Sequence, residues 1–265
     1  MLFDQPIRLS QEQIQFYHNN GYLIVEDILN PFECNAVIAV LEFHAKISQN
    51  TDRRSVMNLD RSEEWRHVYG GPPNHPIHNY IRQMIIKNPR SVTVLETLHK
   101  VLPGDLVVMQ TQITYKTAGT PYAAQAWNLH QDGYYHKAPY GGTLTGNIAF
   151  TDQDRENGCL FIYPGSHKLG RFLEAREVTS YHEKPGNKPG HDISQSLPKE
   201  FLGKEVDVNL KAGSLLALHG GVIHGSHPNV SKYRNRPMIQ APYKKVGIPF
   251  FPGNGISKRM EIPIR

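Results

Sequence analysis

Apolar and polar positions change their period a little over a third of the way along the chain. Up to about residue 103 the pattern is helical. Ser10 and Gln13 stand at the spacing of a capping box, Ile14, Phe16 and Tyr17 follow, and Gly21 is placed to end the segment. The run YLIVEDIL (22–29) predicts a strand, with Asn30 as N-cap and Pro31 at the first position of a second helix reaching about Ile47. Residues 49–75 are polar and rich in Asn, Arg, Gly and Pro, which predicts a long loop. IHNYIRQMIIKN (77–88) and SVTVLETLHKVL (91–102) predict two more helices.

Past Pro103 the segments become short, rich in β-branched and aromatic residues, and separated by Gly, Pro and Asn. DLVVMQTQITYK (105–116), QAWNLHQ (125–131), GTLTGNIAFTD (142–152), GCLFIYP (158–164), KEVDVNL (204–210), GSLLALHG (213–220) and RPMIQAPY (236–243) all predict strands. Asn157-Gly158 is expected to turn a hairpin and Pro164-Gly165 to make another turn. The fold class is therefore mainly β with N-terminal helices packed on one sheet, an antiparallel barrel or double-sheet jelly roll. One domain spans 1–265, helical to about 103 and with a β core over about 104–245. Residues 168–204 hold no sustained period and read as a long insert, a lid or binding loop.

Composition narrows the function classes. The hydrophobic fraction of 39% and charged fraction of 20% are ordinary for a globular protein, and no run approaches the roughly 18 apolar residues of a membrane span. The opening MLFDQPIRLSQEQ lacks the basic and apolar regions of a signal peptide, so the expected location is the cytoplasm, with no membrane partner. Net charge is +5, but Lys and Arg are scattered rather than arrayed in a stripe; nucleic acid is not an expected partner, and a preference for an anionic small molecule is compatible. Cys34 and Cys159, the two cysteines, suggest buried thiols rather than a disulfide framework or thiolate metal site.

The candidate chemistry centres on NLHQDGYYH (128–136). On a strand, positions i and i+2 share a face, so His130 and Asp132 could both reach one ion. A facial triad needs a second imidazole, which leaves three positions open on Fe(II). GSLLALHGGVIHGSHPN (213–229) offers His224 after a Gly-Gly turn, with His219 and His227 as competitors; His136, His167 and His191 are weaker ones among fourteen histidines.

WNLHQDG (127–133), GNIAFTDQDRENGCLFIYPGSHKLG (146–170) and LHGGVIHGSHPNVSKYRNRPM (218–238) together resemble the phytanoyl-CoA dioxygenase family of Fe(II)- and 2-oxoglutarate-dependent oxygenases. LSQEQIQFYHNNGYLIVEDIL (9–29) is similar to that family's opening helix and strand; residues 49–75 and 171–200 are not covered. The resemblance implies a double-stranded β-helix, a cupin-like jelly roll. It also implies iron held by His130, Asp132 and His224, with 2-oxoglutarate and O2 as cosubstrates and a small-molecule substrate. A basic residue past the distal histidine would grip the far carboxylate of 2-oxoglutarate. Arg234 and Arg236 lie ten and twelve positions after His224 where the family most often has eleven, and RPMIQAPY favours Arg236. Lys116, in QITYKTAG, falls where the family often places a polar group facing the cosubstrate, and Gln112 shares its strand face.

The implied activity is hydroxylation, or a related oxidation such as desaturation or ring formation, at an unactivated C–H bond with release of succinate and CO2; an intact Asp132 argues against halogenation. Two rivals come from other classes: a non-catalytic cupin-like binding protein, and a His/Asp/His zinc hydrolase. Trp127 and Gln131 are expected to support the ligand strand. Tyr134, Tyr135, His136, Arg171 and Arg176 are candidate pocket residues.

Overall fold

The computed structural model describes residues 5–47, 57–58, 82–120, 124, 126–178, 190–252, 259 and 261–265. Helix α1 (Gln11–Asn20) opens on the expected capping box, with the Ser10 and Gln13 side chains bonding each other's backbone, and closes on Gly21 at φ 80. Strand β1 (Tyr22–Val25) follows. Helix α2 (Pro31–Ile47) starts from a second box, in which Asn30 Oδ1 accepts from Glu33 N at 2.9 Å and Glu33 Oε2 accepts from Asn30 N at 2.7 Å. Of the expected loop 49–75, the described residues form β2 (Met57–Asn58); the predicted helix 77–88 is described from residue 82, where a π-type turn runs Arg82–Ile86. Helix α3 (Pro89–Leu98) is capped by Asn88.

The β region continues with β3 (Leu106–Val108), β4 (Gln112–Lys116), β5 (Trp127–His130), a short helix α4 (Asp132–His136), β6 (Thr143–Ala149) and β7 (Leu160–Ile162). Then come β8 (Arg176–Val178), β9 (Gly190–Asp192), β10 (Val206–Val208), β11 (Leu215–His219), β12 (His224–Ser226), β13 (Arg236–Lys245) and β14 (Ile262–Pro263). Two antiparallel sheets face each other. The larger is ordered β1-β11-β6-β13-β3-β14, with β4 pairing β13 and β2; the smaller is ordered β10-β7-β12-β5. This is the expected jelly roll. One local expectation is corrected: β6 and β7 lie in different sheets, so Asn157-Gly158 turns a crossover between sheets rather than a hairpin.

Strand alternation sorts the core. Ile113, Leu144, Ile148, Leu215, Ala217, Ile239 and Tyr243 leave one face of the large sheet and pack with Val37, Leu41, Leu95 and Leu98 of α2 and α3. The opposite positions, Ala149, Leu216, Leu218 and Met238, meet Leu160, Ile162, Val208 and Val222 between the sheets. The insert 168–204 is not wholly aperiodic. Part of it forms the β8–β9 hairpin, and Leu173, Ile193, Leu197 and Phe201 pack with Leu129 and Ile223 on the outer side of the small sheet. The described part of the expected insert thus has a buried apolar base.

Gly213, at φ 85, carries the turn that docks β11 beside α2: its N–H donates to Ala149 O at 2.8 Å and its carbonyl accepts from Leu29 N at 3.1 Å. A Cβ there would collide with the Leu29 carbonyl oxygen. Gly213→Ala adds a left-handed backbone penalty of about 1–2 kcal/mol to that collision, so a loss of more than about 2 kcal/mol is expected. Urea unfolding checks it, as a lowered midpoint at unchanged slope.

Candidate functional site

Strand β5 ends at His130, and Asp132 is the first residue of α4, with Gln131 as the extended N-cap between them. The reading of both side chains on one strand face is corrected accordingly: they converge because the chain bends into a helical turn at Asp132. That bend is tightly held. Gly133 N donates to Gly220 O at 2.8 Å, and Gly133 has no room for a Cβ against Phe172 and the Gly220 carbonyl. Gln131, 1% exposed, donates from Nε2 to Gly221 O at 2.8 Å and accepts at Oε1 from Leu173 N at 2.8 Å. Gln131 thus supports the bend, as expected, and the Gly-Gly turn before β12 is the surface it rests on.

His224 opens β12 and pairs in register with His130. The two imidazole centroids are 4.2 Å apart, and Asp132 Oδ1 lies 3.5 Å from His130 Nε2 and 3.6 Å from His224 Nε2. His130 Nδ1 lies 2.7 Å from Asn128 O, and His224 Nδ1 3.2 Å from Val222 O. Carbonyls can only accept, so each Nδ1 carries the proton and each Nε2 turns its lone pair toward the shared point. Thr145 Oγ1 donates to Asp132 Oδ2 at 2.6 Å, which fixes the carboxylate plane. Burial opposes ionisation of Asp132, but the His224 and His130 imidazoles and the Thr145 hydroxyl outweigh it and hold the carboxyl well below its usual range. Burial, with His130 beside it, lowers His224 to about 4. Burial acts downward on His130 too, yet its contacts with Asp132 raise it. Two imidazoles and one carboxylate with their donor atoms within 4.8 Å of one another suit Fe(II) and leave coordination positions free.

A buried lysine–arginine pair adjoins this centre. Lys116 and Arg236 are register partners across β4 and β13, 0% and 1% exposed. Lys116 Nζ donates to Ser226 Oγ at 2.9 Å and to the His227 carbonyl, and Arg236 Nε donates to Gly158 O at 3.1 Å. Burial, followed by the Arg236 charge, pulls Lys116 down to about 6. Ser226 stands two residues past His224, on the same side of β12 and roughly 7 Å along it. Through the Lys116 contact with Ser226, the pair lies on the triad's side of the small sheet, one strand repeat beyond His224.

Strand β13 begins at Arg236, so Arg234 precedes it and is not bound by its alternation. Arg234 turns outward to Asp154 at 2.7 Å and Glu156 at 3.2 Å. Gln112 lies on the inner face in the row Gln112–Gln240–Asn147, one row from Thr145. The competing histidines are elsewhere: His219 Nδ1 accepts from Gly221 N at 3.0 Å with its ring against His167, and His227 Nε2 meets Asp207 Oδ1 at 2.6 Å. Tyr135 stacks edge-on to His130 at 5.9 Å, and His191 of β9 packs on both Tyr134 and Tyr135. His136 is buried, and burial lowers it to about 4. Arg176 pairs with Asp192 at 3.0 Å. Sequence reading missed Thr145 and Ser226. Ser226 was within reach, two residues from His224 on a strand; Thr145 has no signal short of the pairing itself.

The family model described as phytanoyl-CoA dioxygenase matches residues 17–237. Phytanoyl-CoA dioxygenase domain-containing protein 1 of Mus musculus is 27% identical, over 96% of this chain and 97% of that protein; the rat counterpart matches over 70% of this chain and 60% of its own length. Ectoine dioxygenase of Streptomyces coelicolor is 25% identical, over 87% of this chain and 76% of that protein. Among solved structures, the non-heme alpha ketoglutarate dependent carbocyclase SnoK from nogalamycin biosynthesis superposes with a TM-score of 0.66 at 20% identity, covering 98% of each chain. EctD from S. alaskensis with 2-oxoglutarate and 5-hydroxyectoine gives a TM-score of 0.63 at 16% identity, covering 96% of this chain and 85% of that one.

Proposed function

Because the chain belongs to the phytanoyl-CoA dioxygenase family of Fe(II)- and 2-oxoglutarate-dependent oxygenases, we propose that it hydroxylates an unactivated C–H bond of a small molecule. The observation that carries this reading is the His130–Asp132–His224 donor set together with the buried Lys116–Arg236 pair, which Lys116 ties to Ser226 two residues past His224. A zinc hydrolase or a binding protein can do without one of the two features, whereas an Fe(II)/2-oxoglutarate oxygenase requires both.

In this reading His130, Asp132 and His224 hold iron. Bound iron and 2-oxoglutarate supply the activation of O2, with the keto acid leaving as succinate and CO2. The chain's own residues orient and enclose. Thr145, Asn128 and Val222 fix the ligand side chains through the contacts above. Arg236 and Ser226 take the distal carboxylate of 2-oxoglutarate, and Lys116 adds charge beside them. Arg234, paired outside, has no part. Tyr134, Tyr135 and His191 wall the open side and keep water from the reacting carbon. Among the described residues no helix is long and apolar enough to cross a membrane. A metabolite panel scored for stimulated succinate release, with the product gaining one oxygen from labelled O2, tests the reaction. Stimulated turnover without oxygen incorporation would replace hydroxylation by another oxidation.

The low value for Lys116, about 6 before any anion binds, gives the cosubstrate a pH dependence. A carboxylate beside the amine raises its pKa, so binding takes up a proton. Affinity for 2-oxoglutarate is therefore expected to fall as pH rises above about 6, until it passes the raised bound-state value. Calorimetry in buffers of differing ionisation enthalpy reads the proton directly. Lys116→Met should abolish the uptake.

A further inference from the structure

We infer that Cys159, Asp207 and His227 form a second cation site, suited to Zn2+, on the face of the small sheet opposite the triad. The three residues come from neighbouring strands: Cys159 directly precedes β7, Asp207 is the middle residue of β10, and His227 directly follows β12. Asp207 and Gly225 both pair with Phe161, and Cys159 and His227 lie two residues from Phe161 and Gly225 respectively. Strand alternation therefore brings all three to one face, while His224 and Ser226 point to the other. Their donor atoms lie within 4.8 Å of one another, and His227 N donates to Cys159 O at 2.9 Å.

Thiolate, imidazole and carboxylate are a zinc donor set, and the two anions neutralise the dication. Cys159 is fully buried, while the His227 and Asp207 side chains are 14% and 28% exposed, so an ion can enter from the Asp207 side and keep a water as fourth ligand. His227 Nε2 and Asp207 Oδ1 are 2.6 Å apart; ligands of one tetrahedral zinc stand about 3.3 Å apart, so the pair opens slightly on binding. Arg155, which reaches Asp207 at 3.2 Å with a side chain 71% exposed, swings away. Burial, and then Asp207, pushes the free thiol up to about 11, so without metal it stays protonated. Binding releases that proton to solvent as the S–Zn bond forms. The backbone of this site also frames the buried lysine–arginine pair, since Gly158 O holds Arg236 and His227 O holds Lys116.

Sulfur separates this site from the triad, which contains none. Metal-free full-length protein titrated with Co2+ under anaerobic, reducing conditions should develop a near-ultraviolet thiolate-to-cobalt charge-transfer band, saturating at one equivalent per chain in Asp132→Ala and within two in the wild type, whose triad also takes up Co2+. The band should persist in Asp132→Ala and in Cys34→Ala, the other cysteine being in α2, and vanish in Cys159→Ala. Asp207→Asn, nearly isosteric and a check against misfolding of the cysteine variant, should weaken the Co2+ affinity read from the band by at least about tenfold. Arg155→Ala should tighten it about threefold, the worth of a surface ion pair removed from competition. No band in the wild-type protein at saturating Co2+, or a band that survives Cys159→Ala, overturns the site.

Discussion

His224→Ala is expected to abolish Fe(II)-dependent turnover of 2-oxoglutarate while leaving the protein folded. His130→Ala and Asp132→Ala should do the same. Partners that merely orient a metal ligand are worth about ten- to a hundredfold, so removing a ligand itself should cost more than about a hundredfold in activity. The fold survives because the side chains that hold the sheets together, Leu160, Ile162, Leu216, Leu218 and Met238, are untouched. Far-ultraviolet circular dichroism checks that point. His219→Ala and His227→Ala should retain turnover, since neither ring faces the triad. Loss of activity in His219→Ala with activity kept in His224→Ala would move the third ligand.

The second large effect separates the two arginines. Arg236→Ala should raise the KM for 2-oxoglutarate about ten- to a hundredfold, because a charged hydrogen-bonded clamp is worth roughly 1.5–3 kcal/mol. Arg236→Lys should not restore it, since an ammonium lacks the two-pronged match to a carboxylate. Arg234→Ala removes a partly exposed pair with Asp154 and Glu156 and should change KM less than about threefold. Steady-state titration of the three variants decides, and the reverse order would hand the clamp to Arg234.

Much of this was legible from the chain alone where local chemistry agrees with the final structure. Ser10 and Gln13, and Asn30 with Pro31, start helices by capping their own first turns, which requires no tertiary contact. The larger strands announced themselves by β-branched residues between turn residues. The metal ligands were legible as a motif but not in their geometry. Two-residue periodicity put His130 and Asp132 on one strand, and only the contact of Gly133 and Gln131 with the Gly220-Gly221 turn shows why the chain bends there. β12 is three residues long, too short for a period to register, and the β8–β9 hairpin is held by burial of Ile193 and Leu173 rather than by its own pattern. Arg234 and Arg236 could not be told apart by alternation, since that rule applies only once a strand has begun. Cys159, Asp207 and His227 lie far apart in sequence, and sheet pairing alone makes them neighbours.

The proposed function requires this triad and this buried lysine–arginine pair to turn over 2-oxoglutarate together. Release of labelled CO2 from carboxyl-labelled 2-oxoglutarate, measured aerobically on metal-free protein reloaded with Fe(II) or Zn(II), tests it most directly. CO2 and succinate in equal amounts with Fe(II), none with Zn(II), and none in Asp132→Ala are the predicted result. Absence of CO2 with Fe(II) across the metabolite panel, or equal release from Asp132→Ala, would contradict it.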